Sequence, residues 1–218
     1  MSRSALIPTP IGDARVLTSA ATDAAVTLVL GHGASGGAEA PDLSALSASL
    51  PALGVTVIRV EQPWRVAGRR VAAPPATLDR GWLAVLEQLP VSGALVVGGR
   101  SAGARVACRT AAHLNARGVV ALAFPLHPPG RPDRSRLAEL RQPIDAGIPT
   151  LVVQGERDSF GRPEEFPIDL ATVLRAVPGA DHGLSGRRAA RAGADLVRER
   201  VVAEVVAWLR ESGLLARR

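Results

Sequence analysis

The strongest constraint on this 218-residue chain is an alternation. Short runs of Val, Leu, Ile and Ala recur at Ala25 to Leu30, Val55 to Val60, Ala94 to Val97, Val119 to Phe124 and Thr150 to Gln154. Between them lie stretches of helical periodicity at Pro41 to Leu50, Leu78 to Leu89, Ala102 to Asn115 and Arg134 to Arg141. A strand covered on both faces reads as a continuous apolar run, and parallel strands need a crossover, usually a helix. The pattern therefore predicts an α/β architecture, a mostly parallel central sheet with helices on both faces. Ala14 to Thr18 reads as an edge strand and Ala171 to Val177 as the last strand. A closing helix is expected from Ala190 to Glu211, with Leu196, Val197, Val201, Val205, Trp208 and Leu209 forming the stripe that packs on the sheet. Residues 1–218 read as a single domain, with no internal repeat and with Gln62 to Pro75 as the longest loop.

Composition removes several function classes. A chain of this length buries about 70% of its unfolded surface, enough for a core without cross-links. Cys108 is the only cysteine, so no internal disulfide can form, which fits a reducing compartment. The net charge of +6 rests on 26 arginines without a single lysine. These arginines are scattered among 20 carboxylates, and aromatics make up 3% of the residues, too few for base-stacking platforms. No nucleic-acid partner is expected. Pro8 and Pro10 interrupt the apolar stretch after Arg3, which argues against a signal peptide. No apolar run approaches the length of a membrane span, so the expected location is the cytoplasm, with no membrane partner.

In an open α/β sheet, ligands bind beyond the carboxyl ends of the strands. Those positions hold Gly31, His32, Gly33, Ala34, Ser35, Gly36 and Gly37 after one strand and Gly98, Gly99, Arg100, Ser101, Ala102 and Gly103 after another. Gly155, Glu156, Arg157 and Asp158 follow a third, and Gly179, Ala180, Asp181, His182 and Gly183 the last. Ser101 and Ser35 both sit in G-x-S-x-G, where glycines two residues either side permit a tight strand-to-helix turn. Only Ser101 is followed at once by a helix start; Pro41 delays any helix after Ser35. Ser101, Asp158 and His182 also occur in the chain order of the α/β-hydrolase triad. In that arrangement His182 takes the Ser101 proton and Asp158 holds the imidazole in the right tautomer. The backbone N–H groups of Ala102 and Ala34 are the expected oxyanion donors. Asp181 is the rival acid.

The G-G-R-S-A-G segment, the F-P-L-H-P-P-G run from Phe124 to Gly130, V-V-Q-G-E-R-D from Val152 to Asp158 and G-A-D-H-G-L from Gly179 to Leu184 together resemble an α/β-hydrolase. Nearer still, they resemble the dienelactone-hydrolase-like group and the hydrolase-like domain shared by the testis-expressed protein thirty and the third subunit of the NSL chromatin complex. The resemblance covers about residues 12–211 and implies Ser101, Asp158 and His182 as the triad. Dienelactone hydrolases proper use a cysteine nucleophile; Ser101 departs from that pattern. Some relatives in this group are parts of regulatory complexes, with no activity implied by the fold.

The expectation is a serine hydrolase that cleaves an ester, thioester or related acyl bond of a small molecule through an acyl-enzyme at Ser101, with no cofactor. A catalytically silent interaction module and a small peptidase are the alternatives. Only about a dozen residues separate Phe124 from the next helical pattern, so no cap domain is expected and the pocket should be open. His32, Ser35, Arg100 and His127 are candidate pocket-lining residues, with His32 read as a structural hydrogen-bonder and Arg100 as a partner for a carboxylate or an anionic substrate. His113 reads as a surface residue. No metal is expected, since no two histidines have ligand spacing, and Cys108 reads as a small core residue.

Overall fold

The structure, a computed structural model, describes residues 2–170, 173–184 and 191–216. Its strands are β1 (Arg3–Ile7), β2 (Ala14–Ser19), β3 (Val26–Gly31), β4 (Val55–Glu61), β5 (Ala94–Arg100), β6 (Gly118–Leu122), β7 (Thr150–Gly155) and β8 (Leu174–Val177). The helices are α1 (Pro41–Ser49), α2 (Pro63–Val66), α3 (Pro75–Leu86), α4 (Ala102–Thr110), α5 (Leu137–Asp145) and α6 (Arg191–Glu211). One sheet joins all these strands in the order β1-β2-β4-β3-β5-β6-β7-β8. From β4 to β8 every pairing is parallel, whereas β1 and β2, and β2 and β4, pair antiparallel.

The continuous apolar runs are explained by two cores. On one face Val29, Val97, Val119, Ala121 and Val152 pack with Trp82, Val85, Ala104 and Leu140 from α3, α4 and α5. On the other, Leu28, Leu30, Val96, Val120, Leu122 and Val153 pack with Leu43 and Leu46 of α1 and Val201, Val205, Trp208 and Leu209 of α6. Neighbours along a strand point to opposite faces, so both parities must be apolar. Val201, Val205 and Leu209 are fully buried, and each contributes about 1.5–3 kcal/mol through removal from water.

Several expectations are corrected. β2, expected at the edge, lies inside the sheet; the true edge is β1, whose residues are exposed and offer no burial pattern to read. The expected 62–75 loop contains α2, and α3 starts at Pro75 rather than Leu78, because proline suits the first turn of a helix. α4 ends at Thr110, and the following turn places Asn115 in the left-handed region at φ +50°. α5 runs Leu137–Asp145 and carries Pro143 in its last turn. Leu196 is 65% exposed, outside the α6 stripe. The expected last strand begins only at Leu174, residues 171 and 172 lying outside the described ones, as does residue 190 of the expected closing helix. Between β6 and α5, residues 123–136 hold no separate cap domain. Among the described residues, no helix is long and apolar enough to cross a membrane.

This topology fixes where a site can form. β3 passes through α1 to β4 on one side, and β5 through α4 to β6 on the other. Their carboxyl ends therefore diverge and leave a crevice between the 31–37 and 99–103 segments.

Candidate active site

Ser101 links β5 directly to α4 at φ +51° and ψ −113°, a conformation that costs a non-glycine residue about 1–3 kcal/mol. The surrounding packing holds it there. Its N–H donates to the Leu122 carbonyl at the end of β6 (2.9 Å), and its own carbonyl accepts the Arg105 N–H (3.2 Å). Gly103 is required by contact: a Cβ there would fall 2.3 Å from the Gly31 oxygen. Thus the first turn of α4 rests on the backbone of β3, and the serine side chain projects, half-buried, into the crevice.

His182 lies in the loop after β8. Gly155, at the end of β7, lets that loop approach, since a Cβ at 155 would stand 2.6 Å from both the Ala180 and Asp181 oxygens. The imidazole Nε2 is 3.0 Å from Ser101 Oγ, and Nδ1 is 2.8 Å and 3.0 Å from Oδ2 and Oδ1 of Asp158. These contacts fit a neutral imidazole that donates Nδ1–H to the carboxylate and accepts the serine proton at Nε2. Asp158 is fully buried, which demands partners for both oxygens. Gln154 Nε2 donates to Oδ2 at 2.9 Å, and the Phe160 N–H donates to Oδ1 at 2.8 Å. Gln154 Nε2 also reaches the Phe124 and Gly161 carbonyls, so this buried side chain braces the whole acid loop. The Phe160 ring stacks on the imidazole. Sequence reasoning missed Gln154 and Phe160; their only signal was position, at a strand end and two residues beyond the acid.

Ala34 and Ala102 line one small cavity together with His32, Gln62, Trp64, Leu78, Trp82 and Val106. Among the described residues, neither the Ala34 N–H nor the Ala102 N–H has a hydrogen-bond partner. The latter belongs to the first turn of α4, where N–H groups lack intrahelical acceptors. Gly33 adjoins the serine: a Cβ there would be 3.5 Å from Ser101 Cβ.

The remaining candidates fall into distinct places. His32 is buried, donates Nδ1–H to the Gly33 carbonyl at 2.7 Å and accepts the Gln62 N–H at Nε2 (3.1 Å). Burial holds its pKa down, so it stays neutral and shapes the 31–37 loop. Ser35 is exposed on the turn of that loop, and no helix follows until Pro41. His127 contacts the Pro128 carbonyl and Glu165 Oε2, each at 2.9 Å. Those two acceptors raise its pKa and favour the charged form, and its contacts tie the β6–α5 segment to the 158–165 segment. Arg100 turns toward Asp42 and the His182 carbonyl. Asp181 is exposed, and its Oδ1 accepts the Gly183 N–H at 2.8 Å. His113 is exposed; Cys108 is buried, its thiol pushed up to about 12 by desolvation. No group of three or more potential metal ligands occurs among the described residues.

A family model for the alpha/beta hydrolase domain matches residues 24–210. Among solved structures, the protein XC6422 from Xanthomonas campestris, described as an α/β serine hydrolase without lid, is similar at a TM-score of 0.72 and 22% identity, covering 100% of this chain and 96% of that one. An α/β serine hydrolase homologue from Coxiella burnetii gives 0.71 at 17% identity, covering 92% and 96%. Est1E from Butyrivibrio proteoclasticus gives 0.64 at 15%, covering 94% and 98%, and its structure is also known with ferulic acid bound. At such identities these likenesses concern the fold. No curated protein matches the chain by sequence.

Proposed function

The chain belongs to the alpha/beta hydrolase domain family, and from that premise we propose that it is a serine hydrolase acting on an ester, thioester or related acyl bond through Ser101, His182 and Asp158. One observation carries the reading. A serine held in a strained turn lies 3.0 Å from an imidazole whose other nitrogen lies 2.8 Å from a buried carboxylate.

In this mechanism Ser101 Oγ attacks the substrate carbonyl while its proton passes to His182 Nε2. The C–O bond to serine forms, and the carbonyl π electrons move to the oxygen. That oxyanion accepts hydrogen bonds from the Ala102 and Ala34 N–H groups, which have no other partner among the described residues. Asp158 stabilises the imidazolium, which then protonates the leaving alkoxide or thiolate as its bond to carbon breaks. Water, deprotonated by the same imidazole, hydrolyses the acyl-enzyme. The cavity beside the two donors is walled by Trp64, Leu78, Trp82 and Val106, but at about 10 Å³ it has room for about one water, so the acyl group lies in the crevice outside it. The narrower likeness to the dienelactone-hydrolase-like group rests on the sequence motifs, and the serine in place of their cysteine favours ester chemistry of a different substrate.

The test is labelling with a fluorophosphonate probe together with hydrolysis of short p-nitrophenyl esters. Wild-type protein is expected to label and turn over, and Ser101→Ala to do neither, with a loss on the order of 10⁶ in turnover. Equal ester cleavage by Ser101→Ala overturns the assignment. A folded wild-type protein that does not label would instead favour an interaction module.

A further inference from the structure

Arg100 immediately precedes Ser101, a position from which a cation could meet an anionic substrate. Its side chain is committed elsewhere. Nη2 donates to the main-chain carbonyl of His182 at 2.7 Å. Nε lies 3.4 Å from Oδ2 of Asp42, the second residue of α1. The stem packs under the 31–37 loop, where a Cβ on Gly33 would stand 3.7 Å from Arg100 Cγ. One side chain thereby touches the segments that carry the nucleophile, the imidazole and the Ala34 donor.

Asp42 is the unusual member. Its carboxylate is completely buried, a costly location for a charge. Burial pushes its carboxyl pKa up, and the Arg100 guanidinium works against that. Oδ1 accepts the neighbouring Leu43 N–H, at 3.0 Å. Oδ2 and Arg100 Nε, though 3.4 Å apart, are misaligned, and neither has a hydrogen bond. Among the described residues, Arg100 is the only ion-pair partner of this carboxylate. The same guanidinium also donates to the His182 carbonyl.

We propose that Arg100, set between Asp42 and the loop after β8, is a positioning residue that holds the main chain of His182 so that its imidazole stays within reach of Ser101, and that it does not read substrate charge. The inference rests on Ser101 and His182 acting as nucleophile and base. Its physical logic is anchoring: His182 sits in a loop without regular structure, whereas Arg100 ends β5, one residue from the nucleophile. A hydrogen bond between them fixes the distance between the two reacting groups at its source.

The experiment compares wild type, Ser101→Ala, Arg100→Lys, Arg100→Met and Arg100→Met/Asp42→Leu. Each is assayed with p-nitrophenyl acetate, with the mono-p-nitrophenyl ester of succinate as an anionic acyl donor, and for the rate of fluorophosphonate labelling. Labelling of wild type and its loss in Ser101→Ala establish the underlying reading separately. Arg100→Met is then expected to lower kcat and the labelling rate together by about 10- to 100-fold, the scale of a small misplacement of reacting groups. KM should stay within about twofold for both esters. Arg100→Lys should lose rate as well, because one ammonium lacks the fork that spans Asp42 and the carbonyl. The double variant removes the buried carboxylate with its partner; a thermal midpoint near that of wild type with the rate loss retained separates positioning from folding. Wild-type kcat in Arg100→Met or in the double variant overturns the proposal, and so does a rise in KM confined to the anionic ester.

Discussion

The Phe160 ring lies against the His182 imidazole, with centroids 4.0 Å apart and planes inclined by 27°. The same residue donates its N–H to Asp158 at 2.8 Å, so it contacts both Asp158 and His182. Stacked pairs of this kind are worth about 0.5–1.5 kcal/mol beyond their buried area. Phe160→Ala should therefore lower kcat by about two- to tenfold while the backbone contact to Asp158 persists. Steady-state kinetics on a short ester check this, and an unchanged kcat would remove Phe160 from the site.

Ser101 pays for its position in backbone strain. Glycine adopts a positive φ without that penalty, so Ser101→Gly should be inactive yet more stable than Ser101→Ala by about 1–3 kcal/mol. Urea unfolding of the two variants reads the difference directly. Equal stability would mean that the turn is relaxed.

The two neighbouring acids separate cleanly by substitution. Asp158 is buried against Nδ1 of His182, and Asp158→Asn should cost about 10⁴ in kcat by disturbing the tautomer. Asp181 is exposed and supports the Gly183 N–H, so Asp181→Asn should stay within about tenfold of wild type. Reversed effects in ester assays would transfer the acid role to Asp181.

His127 and Glu165 give the fold a defined pH response. The Pro128 carbonyl and Glu165 raise the pKa of His127, so its contribution is complete below the ordinary value of about 6.5 and disappears as pH rises through the raised value. The Arg162 N–H and then His127 lower the pKa of Glu165, whose contribution is present above about 4.3 and lost as pH falls through the lowered value. The pair therefore stabilises most between about pH 4.3 and 6.5. His32 runs the other way: burial lowers its pKa, so its contribution is present above about 6.5 and declines as pH falls. His127→Gln should destabilise more near pH 5.5 than at pH 8.5. Urea midpoints across that range test it, and a pH-independent deficit would show that the charge of His127 does not matter.

Gly155 makes room for the loop that carries His182. A Cβ within 2.6 Å of two carbonyl oxygens would push the 178–183 loop outward, so Gly155→Ala should reduce kcat by about 10²-fold or more with the sheet intact. Circular dichroism paired with ester kinetics reads both quantities. Wild-type kcat would show that the loop tolerates displacement.

The strands buried on both faces were legible because their environment writes one message at every position. β3, β5, β6 and β7 are examples, and the G-x-S-x-G turn between β5 and α4 could be read with them. β1 was not legible, since an exposed edge strand is held by backbone pairing with β2 rather than by side-chain burial. The helical pattern read at Arg134 to Arg141 is shifted in the structure to Leu137–Asp145, where Leu140 is buried and Pro143 falls in the last turn.

The sequence by itself determined the alternating architecture, the strained serine turn and the order of serine, acid and histidine along the chain. Only the tertiary structure decided that Asp158 reaches the imidazole, that Gln154 and Phe160 brace the acid, and that Arg100 turns to Asp42 and the His182 carbonyl. The reason is physical. Local pattern reports whether a residue faces core or solvent, but contacts between residues on β5, β7, α1 and the loop after β8 depend on how the crossovers pack. That packing sets distances of about 3 Å between groups far apart in the chain, and it is written in no single segment.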